Sequence, residues 1–188
     1  IASLSQIKNM KSVFQNVNSD KTNVMMGKNN RLLWGNATIT ETLCGIEFQI
    51  SPLSFFQVNT HQTQQLYSKV AQFAKLDNPQ TVFDLYCGTG TISLITAKEV
   101  KQVIGVECVH SAVENAKENA IKNGIDNAQF FLGKSEDILP QLIKTHSPDT
   151  IILDPPRKGC DKSLIDTLNN IKPQKIIYVS CNPSTLAR

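Results

Sequence analysis

The sequence of 188 residues predicts an α/β fold in which a parallel sheet carries helices on both faces and follows a small β-rich segment. Two observations predict it. From about Thr60 onward, short apolar runs alternate with stretches of helical periodicity, as in sheets whose strands are joined by helices. Before that point, β-prone runs are broken by turns rich in asparagine and glycine. Right-handed crossovers then make the sheet doubly wound, with its ligand crevice at the carboxyl ends of the strands.

The first 50 residues predict a small β meander, because four short runs favour strands. These runs are SVFQNV, NVMM, RLLW and GIEFQI, and they are separated by turns such as NVNSD and GKNN. We therefore assign residues 1–50 to a β-rich subdomain and residues 51–188 to the domain of the parallel sheet.

The sheet domain is predicted to begin with a helix and to contain five strands. Leu66, Val70, Phe73 and Ala74 recur at i, i+4, i+7 and i+8, which predicts one apolar helix face. The predicted strands are, in chain order, TVFDLY, QVIGVE, AQFFLG, DTIILD and KIIYVS. Helices fill the gaps between them, and the clearest, SAVENAKENAIKNG, ends at Gly124, a residue type that favours helix C-termini.

Composition restricts the classes of function. A formal net charge of +3 with a pI near 8.6 permits a nucleic-acid partner without requiring one, since scattered lysines and arginines also occur on ordinary surfaces. The five cysteines lack C-x-x-C spacing, which argues against a disulfide framework or a metal site and favours a reducing cytoplasm. No apolar run approaches the roughly 20 residues of a membrane span, and no signal-peptide pattern is present. We therefore expect a cytoplasmic protein without a metal and without a membrane partner.

The loop after the first strand, DLYCGTG, predicts a nucleoside cofactor. Gly88 and Gly90 permit a tight turn and close approach of a ligand, and Ser93 stands where a dinucleotide-binding loop has its third glycine. Together with Asp84, this pattern favours the acidic loop of enzymes that use S-adenosylmethionine (SAM). Glu107 ends the second strand, where a carboxylate can accept both ribose hydroxyls of an adenosine. A nicotinamide cofactor and a purely structural turn stay open as alternatives.

The fourth strand ends in Asp154, and the two prolines that follow hold this aspartate in extended geometry at the crevice. Amino-group methyltransferases place an aromatic residue after a similar motif, whereas this chain has Arg157 and Lys158. The missing aromatic argues against methylation of an exocyclic amine. The two cations are suited to RNA phosphates, and an ordinary basic surface loop is the alternative.

The fifth strand leads to Cys181, the candidate nucleophile. Asn182 is a favoured N-cap and Pro183 a favoured first helical residue, so a helix is predicted to begin directly after the cysteine. A helix N-terminus stabilises a thiolate. A thiolate beside SAM suits methylation of uracil, because its addition to carbon 6 makes carbon 5 nucleophilic and a general base then removes the carbon 5 proton. An inert buried thiol is the alternative for Cys181, and small packing is predicted for Cys87.

Five motifs resemble, in order and spacing, the bacterial RNA uracil-5-methyltransferases, which make 5-methyluridine in 23S rRNA and in tRNA. They are FFQVN, DLYCGTG, GVE, DPPRKG and YVSCNPSTLAR, and the resemblance covers roughly residues 10–188. It implies a Rossmann-like SAM-dependent methyltransferase fold, Cys181 as the nucleophile, and a role in holding RNA for the β-rich segment. With the glycine loop, the predicted SAM-binding residues are Gln57, Tyr86, Gly88, Gly90, Thr91, Glu107 and Asp154.

The variants DLYCGTGTISL and DPPRKGC look most like the 23S rRNA enzymes, with tRNA as the alternative substrate. Thr91 stands where many members have asparagine. The resemblance places the general-base glutamate beyond the SCNP motif, and SAM-dependent sheets of this type normally continue with two more strands after the fifth. We therefore expect this chain to be a fragment of a larger, monomeric enzyme, without the base. The remaining hypotheses are a non-catalytic module that binds SAM and RNA and a nicotinamide oxidoreductase.

Overall fold

A computed structural model describes residues 2–19, 26–27, 29–77 and 80–187. The strands of this part are β1 (Ser12–Val17), β2 (Asn29–Gly35), β3 (Ile39–Leu43), β4 (Ile46–Ile50), β5 (Thr81–Leu85), β6 (Gln102–Glu107), β7 (Ala128–Leu132), β8 (Thr150–Leu153) and β9 (Lys175–Tyr178). Its helices are α1 (Ala2–Ser5), α2 (Thr60–Ala74), α3 (Thr91–Ala97), α4 (His110–Lys122), α5 (Ser135–Leu142), α6 (Lys162–Ile171) and α7 (Pro183–Leu186).

The predicted α/β fold is confirmed. Strands β5 to β9 form a five-stranded parallel sheet in the order β7-β6-β5-β8-β9, and each corresponds to one of the five predicted apolar runs. Side chains of successive strand residues point to opposite faces of a sheet. On one face, Val82 and Ile152 pack with residues of α2, α3 and α4. On the other face, Phe83 and Ile151 pack with residues of α5 and α6, so helices cover both sides.

The N-terminal β-rich segment differs from the predicted meander. Strands β1 and β2 form one antiparallel pair, and β3 and β4 form a separate one. The β3–β4 hairpin buries Leu43, Ile46, Phe48 and Ile50 in the same core as α2, α3 and α4, so it packs as part of the sheet domain's core. Strand β3 was not predicted, and the predicted run NVMM lies outside the described residues except for Met26. The division at residue 50 stays a prediction.

The predicted apolar face of α2 is wrong in part. Leu66 and Phe73 are 41% and 53% exposed, whereas the buried face contains Val70 and Ala74 together with Tyr67. Successive side chains of a helix are rotated by about 100°. Leu66 and Phe73 directly precede the buried residues Tyr67 and Ala74, so they point about 100° away from the buried face, toward solvent. No helix in the described ranges combines the length and apolar character that a membrane crossing requires.

Candidate functional site

The candidate site lies at the carboxyl edge of the parallel sheet, where the order of strands reverses. Strand β5 pairs with β6 on one side and with β8 on the other, and all three run parallel. Loops that leave β5 and β8 therefore diverge and open a crevice, the usual place for a ligand in a doubly wound sheet. The loop after β5 contains Gly88 and Gly90, and Asp154 follows β8 directly.

The two glycines of the loop have different structural roles. Both adopt left-handed backbone geometry, with φ of 54° at Gly88 and 81° at Gly90. A Cβ at Gly90 would lie 3.1 Å from the Cβ of Ala116 and 3.1 Å from Cζ of Phe130, so Gly90 packs α3 against its neighbours. A Cβ at Gly88 would have no heavy atom within 4 Å. Gly88 therefore leaves open space above the loop that a ligand can occupy.

Glu107 is fixed beside this loop by two backbone donors. The amide of Gly88 donates to Oε2 at 3.1 Å, and the amide of Val109 donates to Oε1 at 2.8 Å. The side chain remains partly exposed. A carboxylate oxygen has two lone-pair directions, so both oxygens can still accept a ligand hydroxyl.

Asp84 and Asp154 join Glu107 in an acidic cluster. Asp84 is fully buried; Oδ2 accepts the hydroxyl of Ser93 at 2.6 Å, while Oδ1 has no partner. Burial raises the pKa of Asp84 to about 7, and the charges of Asp154 and Glu107 also raise it. Burial raises the pKa of Asp154 to about 6. Ionisation of both carboxyls is therefore less favourable than in an exposed aspartate, and a cationic ligand would stabilise the ionised forms.

Tyr67 is a candidate site residue that was not predicted from the sequence. It is buried on α2, and its pKa is raised to about 12, first by burial and then by the charge of Asp154. Hydrogen bonding to the side chains of Thr91 and Gln57 acts in the opposite direction. Gln57 and Thr91, two predicted cofactor residues, therefore lie at the tyrosine hydroxyl, and the charge of Asp154, a third, is near enough to act on it. The signal available in the sequence was a tyrosine with a polar tip at helical spacing from buried Val70 and Ala74.

Tyr86 lies on the face of the parallel sheet that α5 and α6 cover, opposite the face covered by α2, α3 and α4. Its ring packs against the core of α5 and α6 together with Cys160 and Tyr178. Burial and the nearby Cys160 thiol raise the pKa of Tyr86, and the Cys160 sulfur donates to the hydroxyl of Tyr178 at 3.9 Å. The structure thus associates Tyr86 with the loop after β8, and its predicted contact with SAM stays a prediction.

Cys181 lies exposed between β9 and α7. The predicted N-cap is confirmed, since Oδ1 of Asn182 accepts the amide of Ser184 at 3.0 Å and Pro183 occupies the first helical turn. Ser180 braces the other side of the turn, because its Oγ accepts the amide of Asn182 at 3.1 Å. The thiol is therefore accessible on a hydrogen-bonded turn at the carboxyl edge. Cys87, in contrast, is buried as predicted.

The loop after β8 exposes the predicted cations Arg157 and Lys158 to solvent.

Within the described ranges, no three or more histidine, cysteine, aspartate or glutamate side chains are grouped in a way that could hold a metal ion.

Gly105 on β6 provides a test of the packing beneath the site. A Cβ there would lie 2.6 Å from Cδ1 of Phe130 and 2.9 Å from the sulfur of Cys87. We expect Gly105→Ala to lower the free energy of unfolding by about 1 to 3 kcal/mol, because the added methyl overpacks the core. Chemical denaturation measures this. Phe130→Leu should partly offset the loss in the double variant, and strictly additive effects of the two changes would contradict the steric explanation.

The sequence model of the tRNA (uracil-5-)-methyltransferase family matches residues 5–188, nearly the whole chain, and confirms the resemblance predicted from the five motifs. An uncharacterized RNA methyltransferase of Clostridium tetani is 50% identical over 178 residues, which are 94% of this chain and 39% of the relative. Another, from Clostridium acetobutylicum, is 48% identical over 184 residues, which are 97% of this chain and 40% of the relative. The chain spans about two fifths of the length of these relatives.

Among solved structures, that of Pyrococcus abyssi tRNA (uracil-54, C5)-methyltransferase in complex with S-adenosyl-L-homocysteine is similar to this chain, with a TM-score of 0.79. The two sequences are 34% identical, and the likeness covers 96% of this chain and 43% of that chain. Such coverage includes the β-rich segment as well as the parallel sheet.

Proposed function

Because this chain belongs to the tRNA (uracil-5-)-methyltransferase family, we propose that it contains the cofactor site and the nucleophile of an RNA uracil-5-methyltransferase. The observation that carries this proposal is the placement of an exposed cysteine, Cys181, at the same sheet edge as an open glycine loop and an acidic cluster. A cofactor and a nucleophile that act on one base need this proximity.

The residues at the crevice fit SAM. Its sulfonium and ammonium groups are cations, and burial disfavours the ionised forms of Asp84 and Asp154, so a cation bound beside them would stabilise these carboxylates. Open space at Gly88 admits the ligand to the loop, and Glu107 suits the ribose hydroxyls. The residues proposed to hold the cofactor are Gln57, Tyr86, Gly88, Gly90, Thr91, Glu107 and Asp154. Bound SAM supplies an electrophilic methyl group.

Cys181 is proposed to activate the uracil ring. Its thiolate adds to carbon 6, so a sulfur–carbon bond forms and the carbon 5–carbon 6 double bond gives its electron pair to an enolate centred on carbon 5 and oxygen 4. Once carbon 5 has been methylated, a base takes the carbon 5 proton, the double bond re-forms, and the sulfur–carbon bond breaks with its electrons returning to Cys181. The thiol is exposed on a turn held by the hydrogen bond between Ser180 and Asn182, so a uracil base extruded from the RNA can reach it.

We propose 23S rRNA as the substrate, because the motifs DLYCGTGTISL and DPPRKGC look most like those of the 23S rRNA enzymes. A tRNA substrate is the alternative, supported by the Pyrococcus abyssi relative, which acts on tRNA. Exposed Arg157 and Lys158 beside the site are suited to phosphate contacts with either RNA. The enzyme is proposed to act as a monomer in the cytoplasm.

The test is adduct trapping with RNA in which the target uridine is replaced by 5-fluorouridine. Fluorine cannot leave carbon 5 as a proton does, so we expect a protein–RNA adduct in the presence of SAM that survives denaturation. Intact mass measures the adduct, and peptide mapping should place the RNA on Cys181. RNA with ordinary uridine is the control. If SAM and RNA bind but no adduct forms, or if another residue is modified, the proposed chemistry is wrong.

The substrate class is tested separately. Deletion of the gene should remove 5-methyluridine from 23S rRNA, measured by nuclease digestion and mass spectrometry of purified RNA fractions. Loss of 5-methyluridine from tRNA alone would favour the alternative substrate. Unchanged methylation in both fractions would favour a non-catalytic module.

A further inference from the structure

Three asparagines spaced by four residues, two on α4 and one at its C-cap, form a ladder that connects the chain segments around the site. Asn115 and Asn119 share one helix face, because residues four apart lie above one another, and Asn123 follows them as the C-cap of α4. Asn123 accepts the amide of Glu47 at 3.0 Å and donates to the carbonyl of Glu47 at 2.8 Å. We call this set the asparagine ladder.

Asn119 pairs with Gln49, two residues further along β4, in the same way, by accepting from its amide and donating to its carbonyl. Its Oδ1 accepts the amide of Gln49 at 2.6 Å, and its Nδ2 donates to the carbonyl of Gln49 at 3.3 Å. Four residues of a helix rise about 6 Å, and two residues of a strand about 6.8 Å, so the spacings nearly match. The ladder therefore pairs with the edge of β4 that faces away from β3, in place of a further strand.

Asn119 also reaches the glycine loop. Its Nδ2 makes a second donation, to the carbonyl of Thr89 at 3.2 Å. Thr89 stands between Gly88 and Gly90 and is 1% exposed, while Asn119 itself is fully buried. One buried amide thus uses its acceptor and both donor hydrogens to tie β4 to the loop that the proposed function assigns to SAM.

Asn115 continues the ladder where β4 ends. Oδ1 of Asn115 accepts the hydroxyl of Ser54 at 3.0 Å, and this hydroxyl lies 2.8 Å from that of Ser51. The turn that these serines form leads to Gln57, and Asn59 then caps α2 by accepting the amide of Gln62 at 3.2 Å. The ladder is therefore connected to both predicted sides of the cofactor site, the glycine loop and the Gln57 segment.

We infer that Asn119 is a positioning residue, which sets the glycine loop relative to β4 and the Gln57 segment so that the cofactor site is formed before the ligand arrives. The inference rests on the proposed SAM function. Asn123 is the matched control, because it makes the same two-point backbone pairing with β4 from the C-cap of α4, yet its hydrogen bonds are to Glu47 and to the carbonyl of Asn119.

The experiment compares Asn119→Ala and Asn123→Ala in the intact protein by two measurements. Calorimetric titration with S-adenosyl-L-homocysteine should show about tenfold or greater weakening in Asn119→Ala and less than twofold change in Asn123→Ala, since a lost buried hydrogen bond is worth about one factor of ten. Hydrogen exchange should be faster in the loop of residues 86–91 in Asn119→Ala only. Asn119→Ser, which keeps a polar atom at the buried position, replaces the alanine variant if that variant does not fold.

The two measurements separate the inference from its premise. If the unmodified protein does not bind S-adenosyl-L-homocysteine, the proposed function fails, and exchange in the loop alone decides whether Asn119 positions it. If the unmodified protein binds and both variants bind equally well, or if the loop exchanges at the same rate in both, the positioning role of Asn119 is overturned. Equal weakening in both variants would also overturn it, because general loss of stability would then account for the effect.

Discussion

Replacement of Cys181 by alanine is expected to lower the rate of methyl transfer at least about a thousandfold, because a covalent nucleophile has no substitute in the same step. The expected loss is in kcat, since the thiol is proposed to act on the uracil ring and not on the cofactor. Stability should change little, because the side chain is exposed and the turn is held by Ser180 and Asn182.

Single-turnover transfer of a labelled methyl group to RNA measures this rate, and titration with S-adenosyl-L-homocysteine measures cofactor binding. Cys44→Ala is the matched control, since Cys44 lies in the β3–β4 turn, where its sulfur contacts the hydroxyl of Ser68. It should leave both quantities within about twofold, as expected for a change remote from the chemistry. Methyl transfer by the Cys181 variant at a rate within tenfold of the unmodified protein would contradict covalent catalysis by this residue.

The central strands of the parallel sheet, β5, β6 and β8, were predictable because both of their faces are covered. All four residues of β8 are buried, and three of them, Ile151, Ile152 and Leu153, form a continuous apolar run that the sequence shows directly. The polar residues at the ends of such runs, Glu107 and Asp154 among them, then lie at one edge because parallel strands end on the same side. The position of a polar residue at the end of a predicted strand was therefore enough to predict much of the candidate site.

The buried face of α2 was harder to predict because the helix has two overlapping apolar stripes. Leu66 and Phe73 are as apolar as the residues that are buried, and the choice is made by tertiary partners. Tyr67 turns inward, where Gln57 and Thr91 meet its hydroxyl. Hydrogen-bond partners from two other segments leave no periodic signal in the sequence of the helix itself.

The asparagine ladder is a second feature that could not be predicted from the sequence. Asparagine is a weak helix former and usually indicates a turn or an exposed position. Here Asn119 is fully buried because the edge of β4 offers it an amide and a carbonyl. Only the docking of β4 on α4 reveals that partner, and this contact joins residues 70 apart in the chain.

SAM is expected to bind about tenfold more weakly at pH 5 than at pH 8, because Asp154 must lose its proton to meet a cationic ligand. Its pKa is about 6 in the free protein, raised by burial. Without ligand, the protonated carboxyl contributes stability that is fully present below the ordinary aspartate pKa and is lost as the pH rises through about 6. A bound cation favours the ionised form, so affinity should rise through the same interval and binding should release a proton.

Two comparisons isolate the carboxylate. Asp154→Asn should flatten the pH dependence of the SAM dissociation constant between pH 5 and 8 and weaken binding about 10- to 100-fold at pH 8, the range expected for a lost charge-assisted contact. S-adenosyl-L-homocysteine lacks the sulfonium charge, so its affinity should depend less steeply on pH than that of SAM. Calorimetry in two buffers of different ionisation enthalpy counts the released protons. An unchanged pH dependence in Asp154→Asn would assign the titration to another group, with Asp84, whose pKa is about 7, as the next candidate.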